Sequence, residues 1–494
     1  SHCPSHRLRD NMAPRTRSRL PLLTLFACVA LISAGNQQAS STQQLFGYLE
    51  NWTAGWTKWW DNNIPGNCDM GCEEPSKYMA GIASYSGVYY GFTLVTTNPT
   101  PKQVDCGNPP SPQTCMASDG NTIYAAAATK QNSVVVSSTT TDETSLTSGI
   151  VSISEVCRLA RQGPYTTPKI CKITLGGWSD WARIGSNDTA IRLAAQAARM
   201  VKWSFADGVD LDFEHLSVFK LLDDEMSFFA TFVTALRTEL DTVQDDWITT
   251  AQTRVTVLKD MYNKLEPWQQ KESPYFATNI EYMNNVIQNG KPPKLEISFT
   301  TRFNSFLDPK DPFNYLMKGS PRPNSSFASD DEGAKLWPVI GSSIDAVNIM
   351  AYDASGLSLN FTQIMLNAVT RKVAANKIYI GFEPGNQAAG GIWEGSKIDL
   401  AAAEFVANNG YGGAFIWAIN ADPAIEPDQA RNAPVLAKNL SLILKLAWPH
   451  PVVPKYTKVD PSTGWSPSAG PVPPPPPTPP SPPPPTPPTP PTPP

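Results

Sequence analysis

DGVDLDFEHL, residues 207–216, sets four acids into eight positions of a stretch that otherwise reads as a buried strand. Asp is disfavoured inside strands, and a buried carboxylate is costly unless something holds or uses it. Side chains alternate across a strand, so Val209, Leu211 and Phe213 face one way and Asp210, Asp212 and Glu214 the other. Three carboxyl groups a strand step apart cannot all be comfortably ionised. Their titrations couple, and at least one proton is held to a higher pH than in water. A calcium loop calls for Gly turns and loop geometry, not an apolar alternation. The pattern points to acids that are used, with Glu214 nearest the carboxyl end and Asp207 near the strand start.

The surroundings supply more strands of the same kind. Short apolar runs recur at QLFGYLE (44–50), GVYYGFTLV (87–95), CKITLGGW (171–178), GVDLDFE (208–214), KLEISFTT (294–301), DAVNIMAY (345–352), KIYIGFEP (377–384) and GGAFIWAI (412–419). Most are followed by amphipathic stretches of helical period, among them 187–205, 224–243, 359–376 and 397–410. Strands alternating with helices predict an α/β fold, a (β/α)8 TIM barrel over 44–448. Insertions fall after strands one and two, between strands four and five, and after strand five. Only about thirty residues separate strands seven and eight, roughly what a connection with one helix needs. In a barrel the inward acids sit with Glu214 toward the face that carries active sites.

The ends of the 494-residue chain differ from this body. Met12 is the expected start, followed by Arg15, Arg17, Arg19, an apolar run (Leu20 to Ile32) and small residues, the order of a secretory signal peptide within a leader of residues 1–34. The run is short for a membrane span. Residues 449–494 are Pro-rich low complexity, expected to be an extended, disordered tail and not a packed core. Six cysteines remain after the leader: Cys68, Cys72, Cys106, Cys115, Cys157 and Cys171. No His lies near them, so disulfides are favoured over zinc. Of the connectivities six cysteines allow, pairing of sequence neighbours is expected, because each pair brackets a loop-like stretch. Sequons at Asn187, Asn324, Asn360 and Asn439, with a more confined one at Asn51, suit an exported glycoprotein. The formal charge of −5 becomes −9 once the leader is removed. An acidic, aromatic-rich body argues against nucleic acid or an anionic membrane as partner.

Four motifs carry a resemblance. DGVDLDFE matches D-x-x-D-x-D-x-E in full, TLGG (174–177) is similar to S-x-G-G with Thr for Ser, MAYD (350–353) matches M-x-Y-D, and Trp417 in GGAFIWAI resembles a Trp that ends strand eight. In this order they resemble glycoside hydrolase family 18, the chitinases and their relatives, across the whole barrel. The resemblance implies that Glu214 is the general acid on the glycosidic oxygen. It implies that Asp212 holds the sugar's 2-acetamido group so that its carbonyl oxygen attacks C1. Asp210 sits beneath, sharing a proton with Asp212, and Asp207 is structural. Tyr352 bonds the acetamido oxygen, Asp353 contacts sugar hydroxyls, Trp417 is the floor under the reacting ring, and Met350, Gly176 and Gly177 line the substrate. Glycosidases that use two carboxylates flank the bond with them, and one strand does not easily supply both sides.

The implied activity is a secreted chitinase acting with retention, with no cofactor or metal, as a monomer. Its partner is chitin or another N-acetylglucosamine-containing polysaccharide. Nucleic acid, and a membrane after signal cleavage, are not expected, and the Pro-rich tail suggests a cell wall. The alternatives are an endo-β-N-acetylglucosaminidase of the same family, a sugar-binding lectin, or a structural wall glycoprotein. Retention of Glu214 counts against the lectin, and a complete acid motif against the wall protein. Trp52, Trp178 and Trp181 are each open to two readings, sugar platform or packing. His215 reads as structural or as a modulator of the local field, since no G-x-S-x-G elbow accompanies it.

Overall fold

The computed structural model describes residues 43–50, 82, 84–95, 115–125, 134–137, 148–162, 169–216, 224–272, 274–307, 331–352, 359–385, 393, 395–419 and 427–446. The leader, the Pro-rich tail, Cys68, Cys72, Cys106, Trp52, Asp353 and the sequons at Asn51 and Asn324 lie outside them. The described strands are, in chain order, β1 (Gln44–Glu50), β2 (Gly87–Leu94), β3 (Thr122–Ala125), β4 (Val134–Ser137), β5 (Ile170–Gly176), β6 (Gly208–Asp212), β7 (Glu296–Arg302), β8 (Ala346–Met350), β9 (Ile378–Phe382) and β10 (Gly413–Ile416). Eight of them pair in parallel in the order β1-β2-β5-β6-β7-β8-β9-β10, and β10 returns to β1. This is the (β/α)8 barrel the alternation predicts, and its eight strands are the eight apolar runs.

Helices α1 (Ser148–Gln162), α2 (Asn187–Ser204), α3 (Glu225–Asp245), α4 (Trp247–Asn263), α5 (Pro267–Glu272), α6 (Pro274–Asn289), α7 (Glu332–Ile340), α8 (Leu359–Thr370), α9 (Ser396–Asn408) and α10 (Pro427–Ile443) fill the connections. Outward strand residues such as Leu45, Leu49, Val209 and Leu211 join the helices' buried faces in one large core. Inward residues form a second, aromatic cluster that includes Phe46, Tyr48, Tyr89, Phe92, Tyr352, Tyr379 and Phe415. In β2 the register shifts between Tyr90 and Thr93, so Tyr89 and Phe92 both reach the interior although three residues apart.

Two features depart from the sequence reading. Strands β3 and β4 form an antiparallel hairpin on the edge of β2, in the insertion after strand two. Their four-residue runs, TIYA and VVVS, are too short to stand out from loop. Between β6 and β7 the insertion is helical, with α4 to α6 following α3. Helix α4 is rich in Thr and polar residues, so its helical period is faint in sequence, but buried Arg254 ties it inward by donating to the Trp203 carbonyl near the end of α2 at 3.3 Å. The interval between β9 and β10 holds α9 alone among its described residues.

Candidate active site

Asp210 is fully buried at the centre of the barrel. Its Oδ1 accepts from Ser298 Oγ at 2.6 Å, Thr300 Oγ1 at 2.8 Å and Asn348 Nδ2 at 3.1 Å. Its Oδ2 accepts from Tyr48 Oη at 2.7 Å, with Thr174 Oγ1 at 3.4 Å. Burial pushes the carboxyl up, while these donors pull the other way by stabilising the anion. The net direction stays upward, with both oxygens held by side chains from β1, β5, β7 and β8.

Asp212, one step further up the strand, has no such cradle. It is 3% exposed, and its Oδ1 has no hydrogen-bond partner among the described residues. Burial first, then the charges of Glu214 and Asp210, hold its proton well above the usual carboxylate range, with Arg302 opposing. Both acids are raised, Asp212 the further of the two. Strand β6 ends at this residue, so Glu214 lies in the turn beyond, half-buried, and not on the strand itself.

The other motif residues gather at the same end. Gly176 and Gly177 have φ of 110° and 93°, a region that favours glycine. A Cβ on Gly176 would come within 2.3 Å of the Asp212 carbonyl oxygen, and one on Gly177 within 2.6 Å of the Phe92 ring. The Gly177 N–H donates to that Asp212 carbonyl at 2.7 Å. These glycines let the tip of β5 close on the backbone of the acid strand. Trp417 is half-buried, stacked on Phe92 (5.3 Å, 18°) and tilted against Tyr48 (5.4 Å). Met350 packs on the same interior cluster, and Tyr352 is 7% exposed beside it, edge-on to Phe415.

Asp207 lies apart, at the opposite end of the strand. Its carboxylate accepts from Arg161 of α1 at 2.5 Å and from the Cys171 N–H of β5 at 2.8 Å. Beside it Cys157 and Cys171 form a disulfide between α1 and β5, the expected neighbour pairing. Cys115 is also disulfide-bonded.

Of the two described tryptophans with open readings, Trp178 is 51% exposed with the Arg302 guanidinium 5.7 Å over its ring, whereas Trp181 packs on His215. Sequence reasoning missed Tyr48, Ser298, Thr300, Asn348 and Arg302. A signal existed: polar residues at the alternate positions 298, 300 and 302 of an otherwise apolar strand imply a polar barrel interior. Among the described residues no group of three or more His, Cys, Asp or Glu side chains is placed to hold a metal, and no helix is long and apolar enough to cross a membrane.

No family model and no curated protein matches the chain. Among solved structures it is similar to a family 18 chitinase from Cycas revoluta in complex with (GlcNAc)3, at 12% identity and a TM-score of 0.41, covering 80% of this chain and 99% of that one. A chitinase from Rhizomucor miehei gives 13% identity and 0.38, covering 81% and 100%. A chitinase from Bacteroides thetaiotaomicron gives 10% and 0.40, covering 83% and 99%.

Proposed function

We propose that this chain is a chitinase-type glycoside hydrolase that cleaves β-1,4-linked N-acetylglucosamine with retention. The observation that carries the reading is the division of labour along one strand and the turn that follows it. Asp210 is cradled by donors, Asp212 is buried with a retained proton, and Glu214 stands half-buried at the mouth. Glu214 protonates the glycosidic oxygen as the bond to C1 breaks. Asp212, the carboxyl nearest to it along the chain, keeps its proton and is a poor nucleophile, which supports the acetamido carbonyl oxygen of the substrate as the attacking atom. Asp212 orients that group. Positive charge growing on the acetamido nitrogen favours a shift of the proton shared by Asp212 and Asp210 toward Asp210, so negative charge develops on Asp212 where the transition state needs it. Trp417 forms the apolar floor, Tyr352 bonds the acetamido oxygen, and Asp353 contacts sugar hydroxyls.

The protein acts outside the cell, a reading supported by the leader-like order of residues 12–34 and by the Cys157–Cys171 disulfide. With α9 the single helix among the described residues between β9 and β10, an open groove and endo-acting cleavage complete this proposal.

The experiment is hydrolysis of N-acetylglucosamine oligomers by the full chain and by Glu214→Gln. The variant should fold normally and lose on the order of 10²–10⁴ in rate, the usual contribution of a general acid. Fresh products followed by NMR should be β-anomers. Full activity in the variant, initial α-anomers, or hydrolysis of a glucose-only polymer would each defeat the assignment. Release of intact glycans from a glycoprotein, with oligomers inert, would favour the endo-β-N-acetylglucosaminidase instead.

A further inference from the structure

The turn carrying Glu214 is held on both flanks. Phe213 points outward, its ring 5.2 Å from Phe229 and 5.8 Å from Phe232 of α3. The Leu216 N–H closes the turn onto the Phe213 carbonyl at 3.3 Å, and Leu216 is buried. His215, between them, is 2% exposed. Its ring stacks on Trp181 at 3.5 Å and 21°, and lies 4.9 Å from Trp178. Its Nε2 is 2.7 Å from the Trp178 carbonyl oxygen.

That carbonyl belongs to a braced loop. The Asp180 N–H donates to Gly177 O at 3.0 Å, and the Asp180 carboxylate accepts from the Val95 N–H beyond β2 at 2.6 Å and from Ala182 N–H at 3.3 Å. Further along, the Ile184 and Gly185 N–H groups donate to buried Glu225 of α3. Burial pushes the imidazole down to about 3, so it is neutral at working pH, and Nε2 must carry the proton to meet a carbonyl. Volume alone would be served by Phe or Leu. A buried imidazole costs free energy unless its N–H is bonded, and here it is spent on the loop beside the acid.

We propose that His215 is a positioning residue for Glu214, clamping the turn that carries the acid to the loop after β5 through the Trp178 carbonyl and the Trp181 ring. The inference rests on Glu214 being the general acid.

The test uses His215→Phe, which keeps the stack and loses the N–H, and His215→Gln, which keeps a donor and loses the stack. Each is assayed on an N-acetylglucosamine oligomer and on a dinitrophenyl glycoside of the N-acetylglucosamine dimer, whose leaving group needs no proton. Folding is checked by cooperative melting. A displaced acid should lower kcat on the oligomer by about 10–100-fold with KM within about twofold, since misplacement by an ångström costs on that scale. On the dinitrophenyl substrate kcat should fall by no more than about threefold, because general acid help is not required there. Equal losses on both substrates in the folded variants, or no loss on either, would overturn the proposal. If instead Glu214→Gln keeps full activity, the functional reading itself fails. Wild-type activity with an inactive Glu214→Gln and unimpaired His215 variants removes this inference alone.

Discussion

Asp212→Asn should make the protein more stable as pH rises while disabling it. The native carboxyl is buried beside Asp210 and Glu214, and its proton is held well above the usual carboxylate range. An unfolded chain releases the same proton near about 3.9. Between those two values the native state binds more protons than the unfolded state, so stability falls as pH rises, by up to about 1.4 kcal/mol per pH unit. Above the native value the loss is complete and the curve levels. The amide has nearly the same volume and does not titrate. Its packing adds a constant offset, and the slope alone carries the argument. Urea denaturation of both proteins from about pH 4 to about pH 8 gives the difference in unfolding free energy. That difference should grow in favour of the variant by about 1.4 kcal/mol per unit, then level where the wild-type acid group ionises. The levelling point belongs to the coupled group and not to one residue, because removing Asp212 also relieves Glu214 and Asp210. A difference that stays constant with pH, or widens in favour of the wild type, would refute the placement of the retained proton. The variant should also lose hydrolysis, since an amide cannot supply the negative charge the acetamido group needs.

Two further outcomes follow from the geometry. Tyr48→Phe removes a buried hydroxyl that donates to Asp210 at 2.7 Å, and should cost about 1–3 kcal/mol, the range for leaving a buried acceptor without its donor; urea unfolding at neutral pH reads it, and a loss under about 0.5 kcal/mol would contradict the role of this hydroxyl in the cradle. Replacing both Cys157 and Cys171 with Ser opens a link between residues 14 apart and should cost about 3 kcal/mol by the loop-entropy relation, with denaturation of the double variant as the check and an unchanged midpoint as the contrary result.

The eight strands were legible in the sequence because side-chain alternation is local. A run such as GVDLDFE declares its two faces over a few residues, whichever partners it later meets. The same locality made Asp210 and Asp212 readable as inward acids. It does not extend to Glu214, which lies in the turn beyond the strand, or to TIYA and VVVS, whose runs are too short to outweigh the loop around them. What holds Asp210 was beyond local reading. Its donors Tyr48, Ser298, Thr300 and Asn348 are 162, 88, 90 and 138 residues away in sequence. No spacing rule joins them; they meet because β10 returns to β1 and the closed sheet turns every second residue of β1, β6, β7 and β8 toward one axis. The sequence by itself therefore determined which residues of the regularly alternating strands face inward and which acids are available. Barrel closure decided which acid is cradled and which keeps its proton, because desolvation and hydrogen bonding depend on distance in space and not along the chain.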